Sequence, residues 1–379
     1  TASGRDLPPA DRSTCPRPLE HAEWHGWTPT DLVFPFFLFI VGITTVLSLG
    51  ARRAAGADDS AIRRQVLRRG ALIFLFGLVL NWFPFFQWGE IKGLVDPSFL
   101  DRVAYRIEHL RVMGVLQRIG LAYLAAGLIT LRTTWRQQLA VTAVLLVGYW
   151  AVMALAAVPP TGLPGWQVWD RPGTTVDAWL DRVLLTPNHL WVGGGGLRDP
   201  EGLLSTLPAV GSVLLGAVCG RWIAERGRPL VERLAGMFAV GALAMMAGLV
   251  WHWVFPINKS LWTSSYTLFT AGIASVTLAT VMWIVDVYGV RRWTRPFVVY
   301  GVNPMLAFLG SGLVARLIYS VLRVNVGGTE VPLQKAIFDA AFGSWLSPRN
   351  ASLAFALAFV AFFYAILDWC YRRGIVLKV

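Results

Sequence analysis

The stretch HAEWHGWTPTDLVFPFFLFIVG, residues 21–42, sets two histidines, two tryptophans and an acid directly before an apolar run. A histidine, with an ordinary pKa near 6.5, takes or gives a proton close to neutral pH and can also act as a nucleophile. His21 and Asp31 are ten residues apart, and an acid at that distance could orient the imidazole and stabilise its charged form. Asp31 reads equally as an N-terminal helix charge favoured by the macrodipole. His21 and His25 are four apart and would share a helix face, the spacing of a metal pair. Gly26 and Pro29 argue against a helix there, and a third ligand would have to come from His189 or a distant carboxylate. No metal is expected. His109 and His252 lack any supporting motif and read as structural.

Further polar segments punctuate the chain: GVLQRIG (114–120), LDRVLLTPNHLW (180–191), LRDPEG (197–202), PINKSLW (256–262) and GVNP (301–304). Arg118 stands about four residues into an apolar run, where a charge costs on the order of 2.5–3.5 kcal/mol. It must face other helices and find a partner, or snorkel outward. Trp24, Trp27, Trp191 and Trp262 read as interfacial anchors rather than ligand contacts. The GGGG at 193–196 follows no strand and opens no helix, so it reads as flexible loop rather than a phosphate cradle.

The elements that must position these groups are membrane helices. The 379-residue chain is 55% hydrophobic and 15% charged, with a mean hydropathy of +0.54; soluble domains carry about 25% charged residues. The reading is an all-α polytopic helix bundle of about nine spans: 31–50, 70–88, 114–131, 138–158, 203–220, 234–254, 265–286, 296–320 and 352–369. Residues 21–379 read as one transmembrane domain. Residues 1–20, rich in Pro, Arg and Asp, read as loop, with an inward-starting helix expected to be missing ahead of them.

The net charge of +12 suggests nucleic acid only until it is located. Six arginines (52, 53, 63, 64, 68, 69) crowd the 51–69 connection, and further arginines fill 132–137, 221–233 and 287–295. The stretch 159–202 holds only Arg171, Arg182 and Arg198. The positive-inside rule puts the dense set and the C-terminus in the cytoplasm and the sparse set outside. No nucleic-acid partner is expected. On that topology every polar segment but GVNP falls on the outer side. Three cysteines (15, 219 and 370) show no metal or disulfide spacing. The excess of Arg over Lys suggests a GC-rich bacterial genome, hence a bacterial inner membrane.

The opening stretch resembles the heparan-α-glucosaminide N-acetyltransferase family, which carries H-x-x-W-x-G-x-T-x-x-D-L-V-F-P before a span. The matching residues are His21, Trp24, Gly26, Thr28, Asp31, Leu32, Val33, Phe34 and Pro35. GVLQRIG, LDRVLL with NHLW, DPEG, PINKSLWTSSY and the G-x-N of GVNP follow in family order. The resemblance implies a polytopic acetyltransferase using acetyl-CoA as acyl donor and an amino-sugar or glycan acceptor, with His21 rather than His25 as the catalytic histidine. Asp31 would orient it, and Arg118, Asn258 and Lys259 could serve the oxyanion or the CoA phosphates. Asn188, Asp199 and Glu201 could hydrogen-bond the sugar. The lipid bilayer and a homodimer complete the partners considered. The rival from another class is a transporter or flippase of a glycan precursor, with Arg118 and Glu201 holding an anionic group; the absence of a convincing internal repeat weighs against it. A ligand-free scaffold would leave Arg118 and the one-sided clustering without explanation.

Overall fold

The computed structural model describes residues 17–91, 93–159 and 161–377; most of the 1–20 segment, Cys15 and Lys378 lie outside them. In chain order the helices begin α1 (Val33–Ala54), α2 (Asp59–Trp82), α3 (Phe99–Glu108), α4 (Val115–Arg132) and α5 (Trp135–Leu155). A short strand pair, β1 (Ala157–Val158) and β2 (Leu163–Pro164), precedes α6 (Val176–Leu185), α7 (Thr206–Ile223), α8 (Leu230–Trp251) and α9 (Ser264–Met282). Then come α10 (Arg295–Val302), α11 (Pro304–Arg316), the antiparallel hairpin β3 (Arg323–Val326) and β4 (Thr329–Pro332), α12 (Leu333–Phe338) and α13 (Pro348–Arg372). Among the described residues nine helices are long and apolar enough to cross a membrane, and the all-α expectation holds.

Span edges differ from the sequence reading where polar helix formers extend a helix beyond its apolar stretch. The second span begins at Asp59, so the arginines expected in a connection lie on helix ends. The expected span 296–320 is broken: α10 stops at Asn303, and Pro304 starts α11. A proline at the first helical position has no N–H to donate and presets φ, which favours a fresh start there.

The contacts of the described residues sort into two compact units, one within 17–20, 78–111 and 291–377 and the other within 21–77 and 112–290. In the first, Arg295 and Arg372 both pair with Asp368, at 3.0 and 2.7 Å. Asn303 donates to the Ile375 carbonyl at 2.8 Å and accepts from the Leu377 amide at 2.9 Å, tying the broken span to the C-terminal segment. In the second, α1 lies against α7 with the backbones nearly touching. A Cβ on Gly42 would stand 2.0 Å from the Val213 carbonyl oxygen, and one on Gly216 would stand 2.0 Å from that of Phe39. Small residues at such a crossing let helices gain packing contacts that lipid cannot supply. The same unit holds every polar segment from His21 to Trp262.

Candidate active site

Residues 21–28 form no helix; their conformation is fixed by side-chain anchors. Thr28 and Asp31 make a reciprocal capping box on the 3-10 turn Pro29–Leu32, which leads into α1. Asp31 is 1% exposed, and its Oδ2 accepts from the Ala22 amide (3.0 Å), the Thr28 amide (3.0 Å) and the Thr28 hydroxyl (3.1 Å). Its Oδ1 lies 2.7 Å from His21 Nδ1 and 3.3 Å from Lys259 Nζ. A carboxylate oxygen only accepts, so the proton between them belongs to Nδ1. His21 Nε2 then carries the lone pair. The His21 side chain is 58% exposed, so the ring can be reached by a reactant. Lys259 Nζ, 3.0 Å from Nδ1 and 3.4 Å from Nε2, places a positive charge beside the pair.

A second histidine–aspartate pair stands next to the first. His25 Nε2 lies 2.8 Å from Asp170 Oδ1, and its Nδ1 lies 3.3 Å from Asn258 Nδ2. Asn258, 0% exposed, already uses Oδ1 to accept from the Leu261 amide at 2.9 Å. Its NH2 must therefore face the ring, which makes His25 Nδ1 the acceptor and Nε2–H the donor to Asp170. The Gly26 amide donates to the Ile257 carbonyl at 2.8 Å. Residues 21–28 are thus pinned to the turn that carries Asn258 and Lys259. The two histidines take different aspartates, so they do not form the shared-face pair that metal spacing would require.

Arg118 faces the protein interior. It is 0% exposed, and its Nη2 donates to the Gly202 carbonyl at 3.2 Å and to the Ser205 hydroxyl. Its guanidinium lies over the Trp262 ring, 5.1 Å from the centroid. Trp262 is buried rather than interfacial. It meets Phe34 and Tyr266 edge-on and donates Nε1–H to Ser212 Oγ at 3.2 Å. Its φ of +49° is unusual for a bulky side chain and persists because the surroundings over-determine it. Tyr266 donates its hydroxyl to the Asp31 carbonyl, so one aromatic wall joins Arg118 to the His21 site.

Around Arg118 gather four buried carboxyls: Asp177, Asp181, Asp199 and Glu201. Asp181 accepts from the Leu203 amide at 2.9 Å, and Asp199 accepts from the Glu201 amide at 2.9 Å. Burial pushes Asp181 up to about 7, with Asp177 and Asp199 adding to the rise and the Leu203 N–H and Arg118 opposing it. Burial raises Asp177 as well. Burial lowers Arg198, against the pull of Asp177, Asp199 and Glu201. The Arg198 guanidinium lies 4.8 Å from the Trp24 ring centroid and 5.8 Å from that of Trp191. Trp24 donates to the Trp169 carbonyl at 2.8 Å, so Trp24 and Trp191 belong to this packing rather than to a bilayer belt.

His21, Asp31 and Lys259 therefore meet directly, and Asn258 joins them through His25. Arg118, Asp199 and Glu201 lie in the acidic cluster, and Asn188 is exposed on the turn after α6. Sequence reasoning did not select Asp170, Asp177 or Asp181. Asp181 stands inside the LDRVLL motif, and Asp177 stands one turn before it, a four-residue spacing that puts both on one helix face.

No family model matches the chain. Over 77% of its length it is 26% identical to heparan-alpha-glucosaminide N-acetyltransferase of Homo sapiens and, again at 26% over 77%, to that of Mus musculus. The resemblance read from the motifs is borne out. The chain spans about half the length of these relatives, 48% and 49% of them respectively. With nine candidate spans, its likeness is to a multi-pass membrane acetyltransferase.

Proposed function

We propose that the protein is a membrane-embedded acyltransferase that moves an acetyl group from acetyl-CoA to the amino group of an amino sugar at the outer membrane face. The observation that carries this reading is the His21–Asp31–Lys259 arrangement, in which an exposed imidazole is held by Asp31 through Nδ1. Support comes also from the named relatives.

The acceptor amine attacks the thioester carbonyl carbon, forming a C–N bond. His21 Nε2 takes the proton that the nitrogen sheds. The C–S bond then breaks, CoA leaves as thiolate, and the imidazolium returns the proton to sulfur, restoring neutral His21. Asp31 holds the ring through Nδ1–H and balances the transient imidazolium. Lys259, on the flank of the ring, can stabilise the oxyanion of the tetrahedral intermediate. Asp199 and Glu201 supply carboxyl oxygens for sugar hydroxyls beside Arg118. The site's sugar-facing side and the cytoplasmic C-terminus both rest on the arginine asymmetry between connections.

The test follows release of CoA and transfer of label from labelled acetyl-CoA to a panel of amino sugars, with the chain in nanodiscs and His21→Ala alongside. Label on a sugar amine that vanishes with His21→Ala is expected. Tight glycan binding without label transfer, unchanged by His21→Ala, would replace this reading with a transporter.

A further inference from the structure

The loop after α2 and the helix α3 form a surface that the acyl-transfer chemistry does not use. Ser98 and Asp101 cap α3 reciprocally, so its start is set locally. At about 100° per residue, Phe99, Leu100, Val103, Ala104 and Ile107 fall within an arc of about 140°. Asp101, Arg102, Tyr105, Arg106 and Glu108 occupy the remaining arc, and both arginines bond back to the loop. Arg102 donates to the Gln87 and Gly89 carbonyls at 3.1 and 2.7 Å. Arg106 donates to the Asn81 and Phe83 carbonyls, both at 3.2 Å.

The helix thus turns its charged side toward its own loop and its apolar side outward. Leu100 is 75% exposed and Phe99 64%, and no residue of α3 is buried. In a water-soluble helix these orientations would be reversed. The loop continues the pattern: Phe86 packs against Trp88 and Phe99, at 5.1 and 5.7 Å between ring centroids, and Trp88 and Phe85 are themselves exposed.

We infer that α3 lies in the plane of the membrane, its Phe99–Leu100–Ile107 face sunk into the headgroup and upper acyl region. Three observations select lipid as the occupant. The compact unit that holds α3 also holds the last turn of α2, where Val79 is exposed. Aromatic residues concentrate where that span ends, the level at which amphipathic rings settle. At ten residues, α3 is about 15 Å long, half the thickness of the hydrocarbon core, so it cannot cross and can only lie along the interface. An apolar face of this type inserts about 5–10 Å into the headgroup boundary. The latch formed by Arg102 and Arg106 holds the 81–89 loop above it and fixes the level at which α2 leaves the bilayer.

The experiment uses the full chain with its cysteines replaced, reconstituted in phosphatidylcholine–phosphatidylglycerol nanodiscs. Single cysteines are placed by Leu100→Cys, Ile107→Cys and, on the polar face, Asp101→Cys, each carrying an environment-sensitive fluorophore. Labels at 100 and 107 are expected to be quenched several-fold more by a spin label shallow on the acyl chain than by an aqueous nickel chelate, and the label at 101 the reverse. Equal aqueous quenching at all three positions would overturn the inference. Protection of 100 and 107 from both quenchers would overturn it in favour of a second copy of the chain covering the face.

Discussion

Replacing Asp31 with asparagine asks whether the carboxylate sets the chemistry of His21 or only holds the loop. Three donors converge on Oδ2: the Ala22 amide, the Thr28 amide and the Thr28 hydroxyl. An asparagine must put its carbonyl oxygen there, because its NH2 group accepts nothing. The NH2 group then takes the place of Oδ1, 2.7 Å from His21 Nδ1 and 3.3 Å from Lys259 Nζ. Facing a donor, Nδ1 must become the lone-pair nitrogen and the proton moves to Nε2. The nitrogen aimed at the acceptor can then no longer take a proton. The equivalent swap in a serine-protease triad costs about 10⁴ in kcat, and a general base is worth about 10²–10⁴. Lys259 also loses its anionic partner but keeps its positive charge by the ring. The expected loss is about 10³-fold in kcat, or about 4 kcal/mol of barrier, with little change in the apparent affinity for acetyl-CoA.

Asparagine is the informative choice because alanine would leave the Ala22 and Thr28 amides without acceptors, at about 1–3 kcal/mol each, and so mix folding with chemistry. The assay is single-turnover transfer of labelled acetyl in nanodiscs, with the melting temperature of each variant measured in parallel. A kcat within about fivefold of wild type, in a variant that melts normally, would refute the assignment of His21 Nε2 as a base held by Asp31.

Other perturbations test the frame around the site. Gly216→Ala drives a Cβ to 2.0 Å from the Phe39 carbonyl and should cost about 1–3 kcal/mol as α1 and α7 separate, while Gly148→Ala, which meets nothing within 4 Å, should leave the melting temperature unchanged. Asp181, held up to about 7, keeps in the folded protein a proton that the unfolded chain releases near pH 4; stability should therefore fall as pH rises from about 4 to 7 and level off above, and Asp181→Asn should flatten that slope in thermal melts. His25→Ala removes the link to Asn258 and Asp170 and should speed hydrogen exchange at the Gly26 amide about tenfold, the equivalent of about 1.4 kcal/mol; unchanged exchange would show that the Ile257 carbonyl alone holds the segment.

The spans were legible because about 20 apolar residues are needed to cross a bilayer, and such runs stand out against any background. Their edges were not, because hydropathy reads solvation while a helix follows backbone hydrogen bonding. Arg63, Arg64, Arg68 and Arg69 are good helix formers, and α2 runs straight through them toward Asp59. His21, Asp31 and Lys259 could be singled out as a polar group ahead of a span and a polar turn between spans. Their meeting depends on a contact 238 positions apart in the chain, which no local pattern encodes.

The acidic cluster was harder still, and the reason is physical. Asp177 and Asp181 stand on a short amphipathic helix, where two acids four residues apart normally mark the solvated side. What buries them is the chain of 197–205 folding over that side, with Gly202 so close that a Cβ there would lie 1.9 Å from Asp181 Oδ2. Trp262 inverts for the same reason. At a span end a tryptophan reads as a headgroup anchor until an interior arginine takes its face. A charge within an apolar run tells the reader that partners must exist, because leaving it bare costs more than a fold can spare. It does not name them. The sequence therefore leaves Arg118 either to face other helices and find a partner or to snorkel outward, and which of these holds depends on which distant turns can approach without a side chain in the way.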